Sequence, residues 1–332
     1  MGWTMKKILL FLSILVLFLT GCRSYTDKDI IKELSKKIKD SYMLSGELAI
    51  TNNDDIYNYE VEVSYKKDNY YKVVLTNLSN NHTQVILKND EGVYILTPSL
   101  NKSFKFQSDW PYNNSQIYLL AALVNDMESD EEREFKATDD GYTFITSVNY
   151  PNNKNLVSQK ITLDKKFNIK EVKIYDNDDS IKMEMDFDKI DYKPKYKDDY
   201  FELDSIMSAL NEDNVLETTS LDDSIYPLFL PANTKLVNSE KVSMDDGDRI
   251  IMTFAGDKPF LLVEETATAL DEFTIIPTYG EPYMFMDTIG VMTDNSLSWS
   301  SNGIDYYIVS DVMGKDELIE IAQSITNIPA LK

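Results

Sequence analysis

Apolar and polar residues alternate with period two over much of the first two thirds of the chain. Tyr59, Val61, Val63 and Tyr65 interleave with Glu60, Glu62, Ser64 and Lys66, and Tyr71, Val73 and Leu75 with Lys72, Val74 and Thr76. Successive side chains of a strand point to opposite faces, so this pattern predicts strands with one buried face. Similar runs cover residues 83–88, 92–97, 102–107, 142–148, 157–163, 169–175 and 181–187. In the last of them Ile181, Met183, Met185 and Phe187 alternate strictly with Lys182, Glu184, Asp186 and Asp188. Lys67-Asp68-Asn69, Asn89-Asp90-Glu91-Gly92 and Asp176-Asn177-Asp178-Asp179 join neighbouring runs by short hops. Short hops predict an antiparallel meander of about nine strands, apolar on one face and wet on the other.

Two helical periodicities offer cover for the apolar face. Asp27–Asp40 places Ile30, Ile31, Leu34 and Ile38 on one stripe, with Thr26 or Asp27 as cap. Gln116–Met127 carries a broad apolar surface that includes Leu120, Leu123 and Val124, with Ser115 as cap. Two short helices over so large a sheet leave two outcomes, a solid core or an apolar cavity. The residues expected to line such a cavity are Tyr59, Val61, Val63, Val85, Leu87, Phe104, Phe106, Trp110, Leu120, Leu123, Val124, Met183, Met185 and Phe187.

Beyond an irregular Tyr226-Pro227-Leu228-Phe229-Leu230-Pro231, further strands are expected at 234–244, 248–255, 259–267, 282–291, 296–300 and 304–310. Asp245-Asp246-Gly247 and Ser301-Asn302-Gly303 supply tight turns. Residues 314–325 have helical spacing, with Leu318, Ile321, Ala322 and Ile325 on one face.

The amino terminus reads differently. Lys6 and Lys7 precede the apolar run Ile8–Leu19, which ends in Leu19-Thr20-Gly21-Cys22. That run is too short to span a bilayer and has the length of a signal-peptide core. The stretch resembles a bacterial lipobox, which implies diacylglyceryl transfer to the Cys22 sulfur and cleavage before it. Cys22 is the chain's one cysteine, so an intrachain disulfide is excluded. The expected location is the extracytoplasmic face of a cell membrane, held there by the lipid anchor.

The formal net charge of −23 is concentrated in acid-rich residues beyond 204 and excludes a phosphate-neutralising nucleic-acid binder. No catalytic residue, metal site or cofactor is expected. The one histidine, His82, lies in Asn80-Asn81-His82-Thr83 and reads as a satisfied surface or edge residue. Asp176–Asp179 and Asp245–Asp248 lack the closing Glu of a twelve-residue calcium loop and read as solvated turns.

The segment from Gln84 to Gln116, above all Thr97-Pro98-Ser99-Leu100-Asn101-Lys102 followed by Asp109-Trp110-Pro111, resembles LolA-type lipoprotein-carrier domains, within them the spore-former lipoproteins of the YdcC/GerS type. The ending, with Trp299, Gly303, Tyr306-Tyr307 and Glu317–Ile325, resembles the small carboxy-terminal domain of DUF4367-type and RseB/MucB-like proteins. These resemblances imply an α+β fold: a LolA-like curved antiparallel half-barrel with covering helices, followed by a smaller mixed α/β domain. The expected divisions are 1–21 signal peptide, 22–26 anchor and linker, 27–203 LolA-like domain, 204–222 linker and 223–332 carboxy-terminal domain. The resemblance implies no enzyme. It implies lipid or lipoprotein acyl-chain binding linked to sporulation or to spore envelope and cortex maturation, or else a scaffold regulating a cell-wall amidase or another envelope protein, or an RseB-like envelope-stress regulator. A tethered chain departs from a soluble shuttle, which leaves local binding or scaffolding.

Overall fold

The computed structural model describes residues 25–52, 55–107, 110, 116–151, 153–210, 221, 225–244, 247–285 and 288–325. Two sheets carry most of the regular structure among the described residues. The first is built from β1 (Ser41–Asn52), β2 (Asp55–Lys66), β3 (Tyr70–Asn77), β4 (Thr83–Asn89), β5 (Gly92–Thr97), β6 (Lys102–Phe106), β7 (Glu134–Ala137), β8 (Gly141–Ser147), β9 (Leu156–Asp164), β10 (Ile169–Asp176) and β11 (Ile181–Asp191). A later strand, β15 (Thr274–Thr278), joins it parallel to β6, which gives twelve strands in the order β15-β6-β5-β4-β3-β2-β1-β11-β10-β9-β8-β7.

Partners across a ladder point to the same face, so register fixes the core. Leu44 pairs with Val63, Val63 with Val73, Val73 with Ile86, Ile86 with Ile95 and Ile95 with Phe104, one apolar row across the sheet. Two helices cover that concave face: α1 (Asp27–Ile38) and α2 (Leu120–Ser129). Thr26 caps α1 in a reciprocal box, its hydroxyl accepting from the Asp29 N–H at 3.2 Å while the Asp29 carboxylate accepts from the Thr26 N–H at 3.1 Å. That arrangement satisfies two donors at the helix start and contributes about 1 kcal/mol. Helix α2 begins four residues later than its periodicity predicts, at Leu120, with Leu119 before it making no side-chain cap. Ser115 lies outside the described residues.

The sheet is wider than the expected nine strands because β1, β7 and β15 were not legible as alternating runs. In β1 the apolar row is broken by Gly46, where the register against β11 shifts between Ser45 and Gly46. A Cβ there would lie 2.1 Å from the Asp186 carbonyl oxygen, so the bulge requires glycine.

A third layer lies on the opposite, convex face. Residues 204–210, expected as linker, belong to α3 (Leu203–Leu210). Phe201, Leu203, Ile206 and Met207 pack there on Val85, Leu87, Tyr94 and Leu96.

The second sheet contains β12 (Lys235–Met244), β13 (Gly247–Ala255), β14 (Phe260–Thr266), β16 (Glu281–Phe285), β17 (Thr288–Met292), β18 (Ser296–Ser301) and β19 (Ile304–Val309), in the order β12-β13-β14-β19-β18-β17-β16. Helix α4 (Lys315–Gln323) packs on it through Leu318, Ile319, Ile321 and Ala322. The run expected as one strand over 282–291 is a hairpin of β16 and β17 instead. Its apolar residues do not alternate because β17 is buried on both faces, and continuous apolar runs conceal turns. Among the described residues no helix is long and apolar enough to cross a membrane.

Candidate functional site

The two sheets meet along a seam built from β17. Ile289 and Val291 enter the core of the first sheet, whereas Met292 faces the core of the second. Gln84 of β4 pins this strand. Its Oε1 accepts from the Ile289 N–H at 2.6 Å and from the Thr288 hydroxyl at 2.9 Å, and its Nε2 donates to the Ile289 carbonyl at 3.2 Å. All three groups are buried, so these bonds form out of water's reach and their loss leaves unpaired polar atoms.

The Thr97–Lys102 motif forms a second clasp. Pro98–Leu100 is one turn of 3-10 helix, and Asn101 follows in the left-handed region at φ 53°. Asn is among the residues that tolerate this conformation. Its side chain donates to the Leu270 carbonyl at 2.7 Å, and its carbonyl accepts from the Thr274 N–H at 2.9 Å. The Leu100 carbonyl accepts from the Leu270 N–H at 3.0 Å, and the Lys102 ammonium meets Asp305 of β19 at 3.2 Å. The motif thereby lays β15 along β6 and ties both sheets together.

Most residues expected at a cavity do converge on the concave face. Tyr59, Val61, Val63, Phe106, Trp110, Leu120, Leu123, Val124, Met185 and Phe187 are buried in one cluster, with Phe104 and Met183 partly buried against it. Val85 and Leu87 do not belong there. They flank Ile86, which faces inward, and so point to the convex face beneath α3. All of 84–87 is buried, so β4 shows no polar face from which orientation can be read. Cys22 lies outside the described residues.

Among the described residues the concave face carries a continuous apolar core. An apolar pit of about 50 Å³ lies beside the β16–β17 hairpin, walled by Ile86, Trp110, Gln116, Tyr118, Tyr150, Pro151, Asn153, Leu156, Met183, Pro282, Tyr283 and Met284. Only Trp110 and Met183 of these were expected. Ile86 and Leu156 sit on β4 and β9, and the rest come from loops and from the second sheet, where strand alternation carries no signal. Burial raises the pKa of Tyr118, Tyr150 and Tyr283, which keeps all three as neutral hydroxyls.

Other titratable groups are arranged as follows. His82 is not the satisfied residue its turn suggests: its Nε2 is buried without a hydrogen-bond partner, and burial holds its pKa below the ordinary value. Glu171, Glu184 and Asp186 bring carboxylate oxygens within 4.8 Å of one another. The Lys173 ammonium bridges two of them, at 2.9 Å from Glu171 and 3.1 Å from Glu184, and so supplies the positive charge. Asp176 caps its own turn by accepting from the Asp178 and Ser180 N–H groups, each at 2.9 Å. Residues 245 and 246 of the other acidic turn lie outside the described residues. In the second sheet, Glu264 of β14 is wholly buried, and its carboxylate accepts from the Ile225 N–H at 3.0 Å. Burial raises its pKa to about 7.

No family model matches the chain. It is 37% identical over 316 residues to the sporulation protein YdcC of Bacillus subtilis (strain 168), an alignment covering 93% of this chain and 93% of that protein. Among solved structures, a crystal structure of MucB is 14% identical, with a TM-score of 0.34 over 91% of this chain and 97% of that one. A chain from the complex of the CwlD amidase of Clostridioides difficile with the GerS lipoprotein is 16% identical, with a TM-score of 0.23 over 54% of this chain and 100% of that one. Both structural likenesses are too distant to carry a role across.

Proposed function

The chain belongs to the family of the sporulation protein YdcC, and on that premise we propose that it serves sporulation as a tethered protein-binding scaffold, its apolar interior closed. Lipid on Cys22 holds it at the extracytoplasmic face of a membrane, and its partner is an envelope protein. The GerS-type resemblance of residues 84–116 points to a cell-wall amidase as that partner. The reading assigns no catalysis to the chain.

The observation that supports a scaffold over an acyl-chain carrier is the insertion of β17 into the core of the first sheet. Ile289 and Val291 occupy the space an acyl chain would need. A carrier would have to expel β17 from its own core and break the Gln84 bonds at each loading.

Sporulating cells test the reading. Cys22→Ala should move the chain from the membrane fraction to the soluble fraction. The tethered chain should co-purify with a cell-wall amidase in near-equal amounts from sporulating cells. A Cys22→Ala chain that stays with the membrane contradicts the anchor, and amidase-free purified chain contradicts the partner.

A further inference from the structure

Helix α1 covers the first sheet with one face and turns a row of lysines outward with the other. Ile30, Ile31, Leu34 and Ile38 are buried, whereas Lys28, Lys32, Lys36 and Lys39 are exposed. At 3.6 residues per turn these four fall within about 80° of arc. Lys39, the residue that caps the helix at its end, keeps right-handed helical angles and so stays on the row.

The row has no counter-charge of its own. Among the described residues none of the four ammonium groups forms an ion pair. The acids of the same helix are committed elsewhere. Asp27 accepts from the Arg133 Nε at 3.0 Å, Asp29 closes the capping box with Thr26, and the charge of Glu33 acts on Lys37. Lys37 shows what a structural lysine of this helix does: it is half-buried, and its ammonium donates to the Lys166 carbonyl at 2.6 Å and to Asn168 at 3.2 Å. The four outward lysines make no such bond. In a chain of net charge −23 such a face runs against the overall composition, and an unpaired basic face attracts a negative surface.

The path of the chain says which surface that is. Tyr25 packs its ring edge-on against Phe167, with centroids 4.9 Å apart, which fixes it to the body of the fold. Tyr25 is three residues from Cys22, and three residues span at most about 11 Å. A lipid on Cys22 therefore holds the approach to α1 close to its leaflet. The helix has 12 residues and is about 18 Å long, so lying flat it brings all four lysines to the headgroups. The outer face of a helix is convex, which suits a plane of headgroups rather than a small anion. Each lysine near an anionic leaflet strengthens attachment about fivefold.

We propose that the outer face of α1 lies on the anionic headgroups of the leaflet that holds the anchor, with Lys28, Lys32, Lys36 and Lys39 meeting the lipid phosphates. This deepens the proposed function and rests on its anchor: lipid on Cys22 supplies the attachment, and the lysine row sets the orientation. With α1 against the leaflet, the first sheet stands above it, and the convex face with α3 turns away from the bilayer.

Lysine acetylation footprinting tests it on the full chain, coupled through Cys22, its one cysteine, to maleimide lipid in vesicles. The coupling supplies the tether by chemistry. A failure here therefore speaks to the lysine row and not to acylation in cells, which the fractionation reads. One set of vesicles is phosphatidylcholine, the other contains about one third phosphatidylglycerol as the anionic lipid, and the acetylating ester is uncharged. On the anionic vesicles the four lysines should react at least about fivefold more slowly than on the neutral ones, while Lys235, exposed on β12, is unchanged. Salt at about 0.5 M, which shortens the screening length to a few ångströms, should remove the protection. Lys32→Glu with Lys36→Glu, both at exposed positions, should return Lys28 and Lys39 to their rates on neutral vesicles. Equal reactivity on the two kinds of vesicle overturns the proposal and leaves the row to an acidic protein partner. Protection that spreads equally to Lys235, survives salt or persists in the double variant overturns it as well.

Discussion

Gln84 and Glu264 are two buried polar side chains whose surroundings give opposite expectations. Gln84 satisfies the Thr288 hydroxyl and both polar groups of the Ile289 backbone. Gln84→Leu keeps the volume and orphans all three, so it should lower the unfolding free energy by about 3 kcal/mol, read as a shift of the urea midpoint. Glu264 instead opposes folding at high pH. Its pKa rises from an ordinary 4.5 to about 7 through burial, only partly offset by the Ile225 N–H. The folded state therefore holds a proton that the unfolded state releases between these values, and stability falls as pH rises through that window. Below it both states are protonated and nothing is lost. The difference amounts to at most about 3 kcal/mol. Glu264→Gln should flatten the pH dependence of stability between about pH 4.5 and 7, measured by urea titration at several pH values. An unchanged slope would show that another group carries it.

The elements fall into two groups by how they announce themselves. β2, β3 and β11 each bury one face, so alternation gave their existence and which residues share a face, and Tyr59, Val61, Val63, Met185 and Phe187 lie together in the concave core. β4 and β17 are buried on both faces, and there the pattern failed: Val85 and Leu87 took the convex side, and one apolar run proved to be a hairpin. The missed helix α3 has the same cause, since the convex face was expected to be wet. Its packing on Val85, Leu87, Tyr94 and Leu96 is what makes β4 and β5 two-faced. Met207→Asp, which buries a charge on that interface, should lower the urea midpoint by an amount equal to about 3 kcal/mol. If the midpoint holds, α3 is not docked on the sheet in solution. The pit was less legible than the core because most of its walls come from loops and from a second sheet far along the chain, contacts to which no local period is sensitive.

At the scale of the whole molecule, the second sheet completes the first. β15 extends it, Ile289 and Val291 fill its hollow, and the Thr97–Lys102 motif binds the two together. A motif that resembles a carrier's thus acts here as a clasp between the two sheets. The account turns on a closed apolar interior. Native mass spectrometry of the full chain carrying Cys22→Ala, purified gently from sporulating cells, tests it most directly, because no covalent lipid then confuses the reading. The predicted spectrum shows the chain without any acyl lipid. A near-equimolar lipid adduct surviving purification would contradict it.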